Sequence, residues 1–228
     1  MDIVSLTKIN RLYWLGRYSE RVYTTLSYLV KCYDRMLDGI EPDYQGFCAK
    51  VGVPCCYENA EEFFQRYSFD KSDFNSLRFA MEEMLGNGMV LRETLGSRTL
   101  SYLQMAVNAM GMAENSESPA IQFQWVFDDI MAFRGCYDEM IEDDHVRNTI
   151  KCGISVERVS LFLRLGIQEC RLPREVNNLV KRLRRSHMNA DEAAKARLTE
   201  LNEMFKAGKE AEVDRAELLR LVEGLVRV

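Results

Sequence analysis

The sequence predicts an all-α protein, built as a multi-helix bundle. Apolar residues recur at helical spacing along most of the 228 residues. The four prolines stand outside these periodic stretches, as expected when helix breakers are confined to connections. Hydrophobic residues make up 47% of the chain and charged residues 29%, which is typical of a globular protein with a sizeable core.

The first predicted helix runs from Ser5 to Leu37, where Asp38-Gly39 ends the apolar repeat. Residues 40–57 contain two prolines and two glycines and are predicted to be irregular, so we expect this segment to cover something or to move. A short helix follows at Ala60–Tyr67.

The middle of the chain has three further helical patterns. Asp73 or Asn75 is the predicted cap of the first, which Gly86-Asn87-Gly88 is predicted to interrupt or kink. The second covers Ser97–Met112. Ser118-Pro119 is typical of a helix start and opens the third pattern.

A central, buried helix is predicted from Cys152 to Glu169, because that stretch is apolar nearly all round. The basic run Lys181–Arg185 lies beside an apolar stripe and is interpreted as an exposed helix face. Asn189-x-x-Glu192 resembles a capping box ahead of two amphipathic helices, at about 193–205 and 213–226.

The domain organisation predicted from these elements is one bundle over residues 1–172, with the C-terminal helices of residues 173–228 docked on it as part of one domain overall. The apolar stripes of those last helices need a surface to cover.

The charge and cysteine content narrow the class of protein. A net charge of −5 gives no general attraction to nucleic acid or to an anionic membrane. No apolar run approaches the length of a membrane span. The seven cysteines form no CxxC pair, so we expect reduced thiols in a cytoplasmic protein, without a metal site or a cofactor. The neighbouring Cys55 and Cys56 are interpreted as unpaired loop thiols.

Two segments of the chain repeat one another. Gly16 to Val22 and Gly153 to Val159 both read Gly-x-x-x-Glu-Arg-Val, and both continue into leucine-rich helical sequence. The repetition predicts an internal duplication with a pseudo-twofold arrangement of the two helices.

The charges within these segments are predicted to meet. Glu157 and Arg158 lie in apolar sequence, and burying an ion costs several kcal/mol unless it finds a partner. Neighbouring residues diverge by about 100° around a helix, so the partner has to come from another helix. The duplication suggests reciprocal pairs of Glu20 with Arg158 and of Glu157 with Arg21. Further arginines that could extend this cluster are Arg17, Arg92 and Arg98.

Three interpretations of this cluster remain open. The first is a buried ion-pair network that fixes how helices dock. The second is a pocket in which surplus arginines bind a phosphate or a carboxylate. The third is direct acid–base catalysis by Glu20 and Glu157.

The residues also resemble a known family. The decapeptide Leu12–Arg21 is similar to the opening signature of the alpha-E domain family, and 153–164 resembles that family's later Glu-Arg copy. Asp73–Leu77 and Asn87–Glu93 resemble its central elements, so the resemblance spans about residues 5–170. Two departures are Val22–Thr25, in place of the usual Ala-Glu-Asn-like tract, and Met89 in place of a common arginine.

The resemblance implies a helical domain that accompanies circularly permuted ATP-grasp proteins and transglutaminase-like proteins. We therefore expect a non-catalytic partner or scaffold of an ATP-grasp-type ligase, binding that enzyme or a peptide. The alternative is an enzyme or anion-binding protein that uses the Glu-Arg pocket. Two histidines leave little general-base capacity, and Glu142-x-x-His145 lacks the second copy that a di-iron centre needs.

Overall fold

The computed structural model describes residues 5–226, and this part of the chain is all-helical. It is 79% helical and contains ten α-helices and no strand, which confirms the predicted fold class. The helices are α1 (Leu6–Leu37), α2 (Tyr44–Val51), α3 (Ala60–Phe69), α4 (Leu77–Val90), α5 (Arg92–Glu114), α6 (Pro119–Met140), α7 (Asp144–Leu165), α8 (Leu172–Arg185), α9 (Glu192–Lys206) and α10 (Arg215–Gly224).

The helices divide into two compact units. Unit 1 takes in the residues up to Arg17 together with those from Asp143 onward, and unit 2 is Tyr18–Glu142. All of α7 to α10 therefore falls in unit 1. The sequence predicts a bundle over residues 1–172 with residues 173–228 docked on it in one domain. Because this organisation involves both units, it stays a prediction.

Unit 1 is built around α7, which confirms the predicted buried helix. α8 and α10 pack on α7, and α9 packs on α8. α7 starts earlier than the predicted Cys152 because the Asp143 side chain accepts hydrogen bonds from His145 N and Val146 N and caps it. It ends before the predicted Glu169 because Gly166 adopts a left-handed conformation, with φ of 64°.

The helices α1 and α7 touch through their backbones at two glycines. A Cβ atom at Gly16 would collide with the Ile150 carbonyl oxygen and lie 3.1 Å from Ile154 N. In the same way, a Cβ atom at Gly153 would collide with the Tyr13 carbonyl oxygen and lie 3.1 Å from Arg17 N. Each glycine thus faces the equivalent positions of the other repeat, although the wider internal duplication stays a prediction.

Unit 2 has an aromatic core where α1 to α3 meet. Phe47 of α2 stacks on Tyr28 of α1, with ring centroids 5.1 Å apart, and contacts Phe63 of α3 at 5.5 Å. Tyr33 of α1 packs on Phe64 of α3 at 5.0 Å. The remaining helices of this unit pack in sequence, α4 on α5 and α5 on α6.

The prediction that residues 40–57 are wholly irregular is wrong, because α2 lies inside them. The Asp43 side chain accepts a hydrogen bond from Gly46 N and caps the helix. Gly52, with φ of 76°, ends it two turns later. The helix is too short for a clear apolar period, and its stability comes from its caps and from the burial of Phe47.

The predicted caps and interruption around α4 also need correction. Ser76, and not Asp73 or Asn75, caps this helix, with its hydroxyl 3.0 Å from Phe79 N. The helix continues through Gly86–Gly88, where the missing side chain of Gly88 leaves room for Leu103 of α5. The break comes later, at Gly96, whose φ of 74° kinks α5 near its start.

The predicted start of α6 is confirmed, and the predicted start of α9 is not. Pro119 occupies the first turn of α6 behind Ser118, as predicted. The predicted capping box at Asn189 is wrong, because the Asp191 side chain caps α9 by accepting from Ala194 N at 2.9 Å.

Across residues 5–226, none of the helices combines the length and the apolar character that crossing a membrane requires.

The glycine contact predicts a sharp cost for a single added methyl group. Gly153→Ala should lower the free energy of unfolding by about 1–3 kcal/mol or more, because its Cβ meets backbone atoms that can move only if the helix moves. Urea unfolding followed by circular dichroism measures this.

Gly135→Ala in α6 is the matched control, because a Cβ atom there meets nothing within 4 Å. That variant should gain about 0.5–1 kcal/mol from the helix propensity of alanine. Equal stabilities for the two variants would contradict the close contact.

Candidate functional site

The first Glu-Arg segment supplies an arginine to the glutamate of the second. Arg17 Nε lies 2.7 Å from Glu157 Oε2, and only 4% of the Glu157 side chain is exposed. The glycine contact sets this geometry, because Arg17 directly follows Gly16 and Glu157 lies one turn beyond Gly153. The pair joins α1 to α7 inside unit 1.

Aromatic rings cover the arginine of this pair. The Arg17 guanidinium lies 4.9 Å from the Trp14 ring centre and 5.8 Å from the Tyr13 ring centre. Trp14 and Tyr13 precede Arg17 by three and four residues, so all three share one helix face. Burial raises the pKa of the Tyr13 hydroxyl well above its usual range, although Arg17 opposes this, so the phenol is neutral.

The glutamate of the first segment pairs within unit 2. Arg134 Nη2 of α6 lies 2.7 Å from Glu20 Oε2 and 3.0 Å from the Ser19 carbonyl oxygen. Thr24, one turn along α1, donates its hydroxyl to Glu20 Oε1 at 2.8 Å. The guanidinium also lies 4.9 Å from the Tyr23 ring centre. Glu20 is 1% exposed, so this carboxylate is both desolvated and hydrogen-bonded.

A third buried carboxylate, that of Glu175 in α8, lies in unit 1 and pairs with Arg158 of α7. Arg158 Nη1 is 3.2 Å from Glu175 Oε2, and Arg174 Nη2 is 3.2 Å from Glu175 Oε1. Burial alone would raise the pKa of Glu175, but Arg158, Arg174 and Asn178 outweigh it and hold the pKa below its ordinary value. Glu175 is therefore ionised at neutral pH.

The structure confirms buried Glu-Arg ion pairs at both motifs. The reciprocal pairs Glu20–Arg158 and Glu157–Arg21 would each join the two units, and they stay predictions. Within unit 2, the Arg21 guanidinium lies 5.5 Å from the Tyr18 ring centre.

The extension of the cluster through Arg92 and Arg98 stays a prediction. Both residues are exposed near the start of α5. Within unit 2, Arg134 of α6 is the arginine that lies beside Glu20.

Three buried or partly buried charged residues were not predicted from the sequence: Arg134, Arg78 and Glu175. Arg134 follows Phe133 in an apolar helix, so the criterion that singled out Glu157 would also have found it. Arg78 is 6% exposed and donates to the Val107 carbonyl oxygen at 3.1 Å. Glu175 gave no signal, because an acidic residue in the first turn of a helix is ordinary.

The arrangement of buried, paired glutamates favours a role in helix packing over proton transfer. At Glu175 the neighbouring arginines hold the pKa below its ordinary value, so this carboxylate is a weak base at neutral pH. Catalytic acids and bases instead need pKa values near the working pH. Among the residues described, no cluster of three or more His, Cys, Asp or Glu side chains could hold a metal ion.

Unit 1 also has a groove of about 460 Å³ between α8 and α9. Its apolar floor includes Leu183, Met188 and Leu198, and Arg184 and Lys195 also line it. Neither Glu157 nor the other buried carboxylates of the described chain belong to its lining. The groove and the ion pairs are therefore separate features.

Fold and site together define an all-helical protein whose two Glu-Arg segments supply buried ion pairs. The model of the Alpha-E family, described as a predicted alpha-helical domain with a conserved ER motif, matches residues 8–223. The chain belongs to this family. The match extends beyond residue 170, where the resemblance seen in the sequence ends, and so includes α8 and α9. No curated protein matches the chain, and no solved structure does.

Removing the arginine of the unit 2 pair should destabilise the fold. Arg134→Ala leaves Glu20 buried without that guanidinium, so the free energy of unfolding should fall by about 3–5 kcal/mol. Urea unfolding at pH 7 measures the loss. Arg98→Ala, an exposed arginine of the same unit, is the control and should unfold like the wild type.

Two further variants separate lost charge pairing from lost packing. Arg134→Met removes the guanidinium from the buried carboxylate, and combining it with Glu20→Gln should recover part of the loss, since the charge is then gone. If the double variant is no more stable than Arg134→Met, the cost does not come from the loss of charge pairing.

The pKa of Glu175 predicts an acid dependence of stability. Its folded pKa lies below the ordinary value of 4.5, so it stabilises the fold above that pH, and the contribution is lost as the pH falls through the folded pKa. Glu175→Gln should flatten the loss of stability on acidification below pH 4.5. Urea midpoints from pH 7 to pH 3 measure it, and identical slopes for wild type and variant would contradict the assignment.

Proposed function

We propose that this chain is a cytoplasmic, non-catalytic helical partner or scaffold of an ATP-grasp-type ligase in a peptide-ligating or peptide-modifying system. It binds the ligase or its peptidic substrate. The chain belongs to the Alpha-E family. This supports the proposal because the resemblance associates such domains with circularly permuted ATP-grasp proteins and transglutaminase-like proteins.

The proposal of a non-catalytic role rests on the burial and pairing of Glu20 and Glu157. Glu20 and Glu157 are 1% and 3% exposed, and each accepts a hydrogen bond from an arginine at 2.7 Å. A catalytic carboxylate has to meet substrate or water. A buried, paired one instead specifies how helices pack.

The free cysteines support the cytoplasmic part. All seven are unpaired thiols, as expected in a reducing compartment.

The experiment is reconstitution with a circularly permuted ATP-grasp protein, the class that the family resemblance associates with such domains. Co-purification and isothermal titration calorimetry measure association, and ADP release measures peptide ligation. We expect a stable complex, and no ADP release by this chain alone. A consistent failure to associate would count against the proposal.

The same experiment tests the alternative of an enzyme that uses the Glu-Arg residues. Glu157→Gln keeps the shape of the side chain and removes its charge and its proton-transfer capacity. As a scaffold, a folded Glu157→Gln chain should bind and support ligation like the wild type. Loss of ligation with unchanged binding and unchanged circular dichroism would favour the enzyme.

A further inference from the structure

The groove between α8 and α9 in unit 1 has a floor that belongs to the hydrophobic core. Val180, Leu183, Met188 and Leu198 line it, and all four are members of the core cluster of this unit. Core packing therefore fixes the shape of the floor. The volume of about 460 Å³ falls within the range of roughly 300–1,000 Å³ that ligand pockets occupy.

The hydroxyl groups of the groove are already used by the protein. The Ser186 hydroxyl donates to the Leu183 carbonyl oxygen at 3.1 Å and accepts from Met188 N at 3.3 Å. The Thr199 hydroxyl donates to the Lys195 carbonyl oxygen at 2.8 Å. Because a hydroxyl has a single hydrogen to donate, recognition of a ligand in the groove falls to the charged side chains.

The charged side chains that line the groove are Arg184, Glu192 and Lys195. Lys195 Nζ lies 2.7 Å from Glu192 Oε1, so these two charges offset one another. Arg184 is exposed, and no acidic side chain in the described part of the chain pairs with it. Its neighbour Arg185, by contrast, lies 2.8 Å from an Asp144 carboxylate oxygen. The groove thus has a surplus positive charge on a guanidinium that a ligand can reach.

A guanidinium beside an apolar floor is complementary to a carboxylate beside an aliphatic side chain. The planar fork of N–H donors of an arginine matches the two oxygens of a carboxylate. The apolar floor favours an aliphatic group, because its burial removes apolar surface from water. We propose that this groove binds a peptide segment in which an acidic side chain adjoins an aliphatic one, with the carboxylate on Arg184 and the aliphatic group on Leu183 and Leu198.

This inference rests on the proposed partner function and names the kind of peptide that the chain holds. A ligase joins a carboxylate to an amine, so a scaffold has to leave the reacting end of the peptide free. The groove therefore takes an internal acidic side chain and not the terminal carboxylate.

The test measures peptide binding to the full chain alone by isothermal titration calorimetry. The probe is an acetylated and amidated hexapeptide that alternates glutamate and leucine. One control peptide has glutamine in place of glutamate, and another has alanine in place of leucine. We expect the probe to bind, and each control to bind at least about tenfold more weakly.

The peptides also distinguish the source of the carboxylate. The glutamine peptide with a free C-terminus carries only a terminal carboxylate and should bind as weakly as its amidated form. Tighter binding of that peptide than of the probe would overturn the proposal. So would the absence of probe binding, or equal binding of the alanine peptide, since the surface would then recognise charge alone.

Three variants assign the binding to the groove. Arg184→Ala removes the guanidinium, and Ala196→Trp fills the groove from an exposed position of α9 without changing any charge. Each should weaken probe binding by about tenfold or more, with an unchanged circular dichroism spectrum. Arg220→Ala is the matched control, because Arg220 is an exposed arginine of α10 that lies outside the lining, and it should bind like the wild type.

Other occupants and other surfaces give different results. Equal weakening by Arg184→Ala and Arg220→Ala, or unchanged binding by Ala196→Trp, would place the peptide elsewhere and overturn the proposal. A dimer in analytical ultracentrifugation that Ala196→Trp abolishes would show a second copy of the chain in the groove instead. Because no ligase is present, failure to bind the peptide is separate from failure to associate with the ligase.

Discussion

Burying a carboxylate is the constraint on which the rest of this structure depends. Glu20, Glu157 and Glu175 are each at most 3% exposed, and each accepts a hydrogen bond from an arginine that lies on another helix. Leaving any one of them unpaired costs several kcal/mol, a large part of the net stability of a domain. The pairs therefore specify which helices neighbour one another: α1 with α7, α1 with α6, and α7 with α8.

The two repeated segments solve this constraint differently. In the first, Gly16 is followed by Arg17, which reaches Glu157. In the second, Gly153 is followed by Ile154, an apolar residue, at the equivalent position. Glu20 is instead served by Arg134, which lies outside both repeats. The two segments are therefore alike in their glycine contact, but their glutamates pair with arginines in different ways.

The long helices could be predicted from the sequence, whereas the caps of α4 and α9, and features that need two helices at once, could not. The bounds of α1 follow from an uninterrupted apolar period that ends at Asp38-Gly39. The burial of Glu157 follows from its apolar neighbours. Its partner Arg17 depends on how closely two helices approach, and that distance is set by glycines whose packing role no periodicity reveals. Short helices such as α2 depend on single caps and are lost among their flanking breakers.

The positions of the aromatic residues give each unit its own optical reporter. The chain has two tryptophans, and they fall in different units: Trp14 lies against the Arg17 guanidinium in unit 1, and Trp125, 58% exposed, lies on α6 in unit 2. A nearby cation and partial burial give Trp14 an emission distinct from that of a solvated indole. Replacing one indole at a time would let fluorescence follow each half of the chain separately and reveal whether the halves melt together.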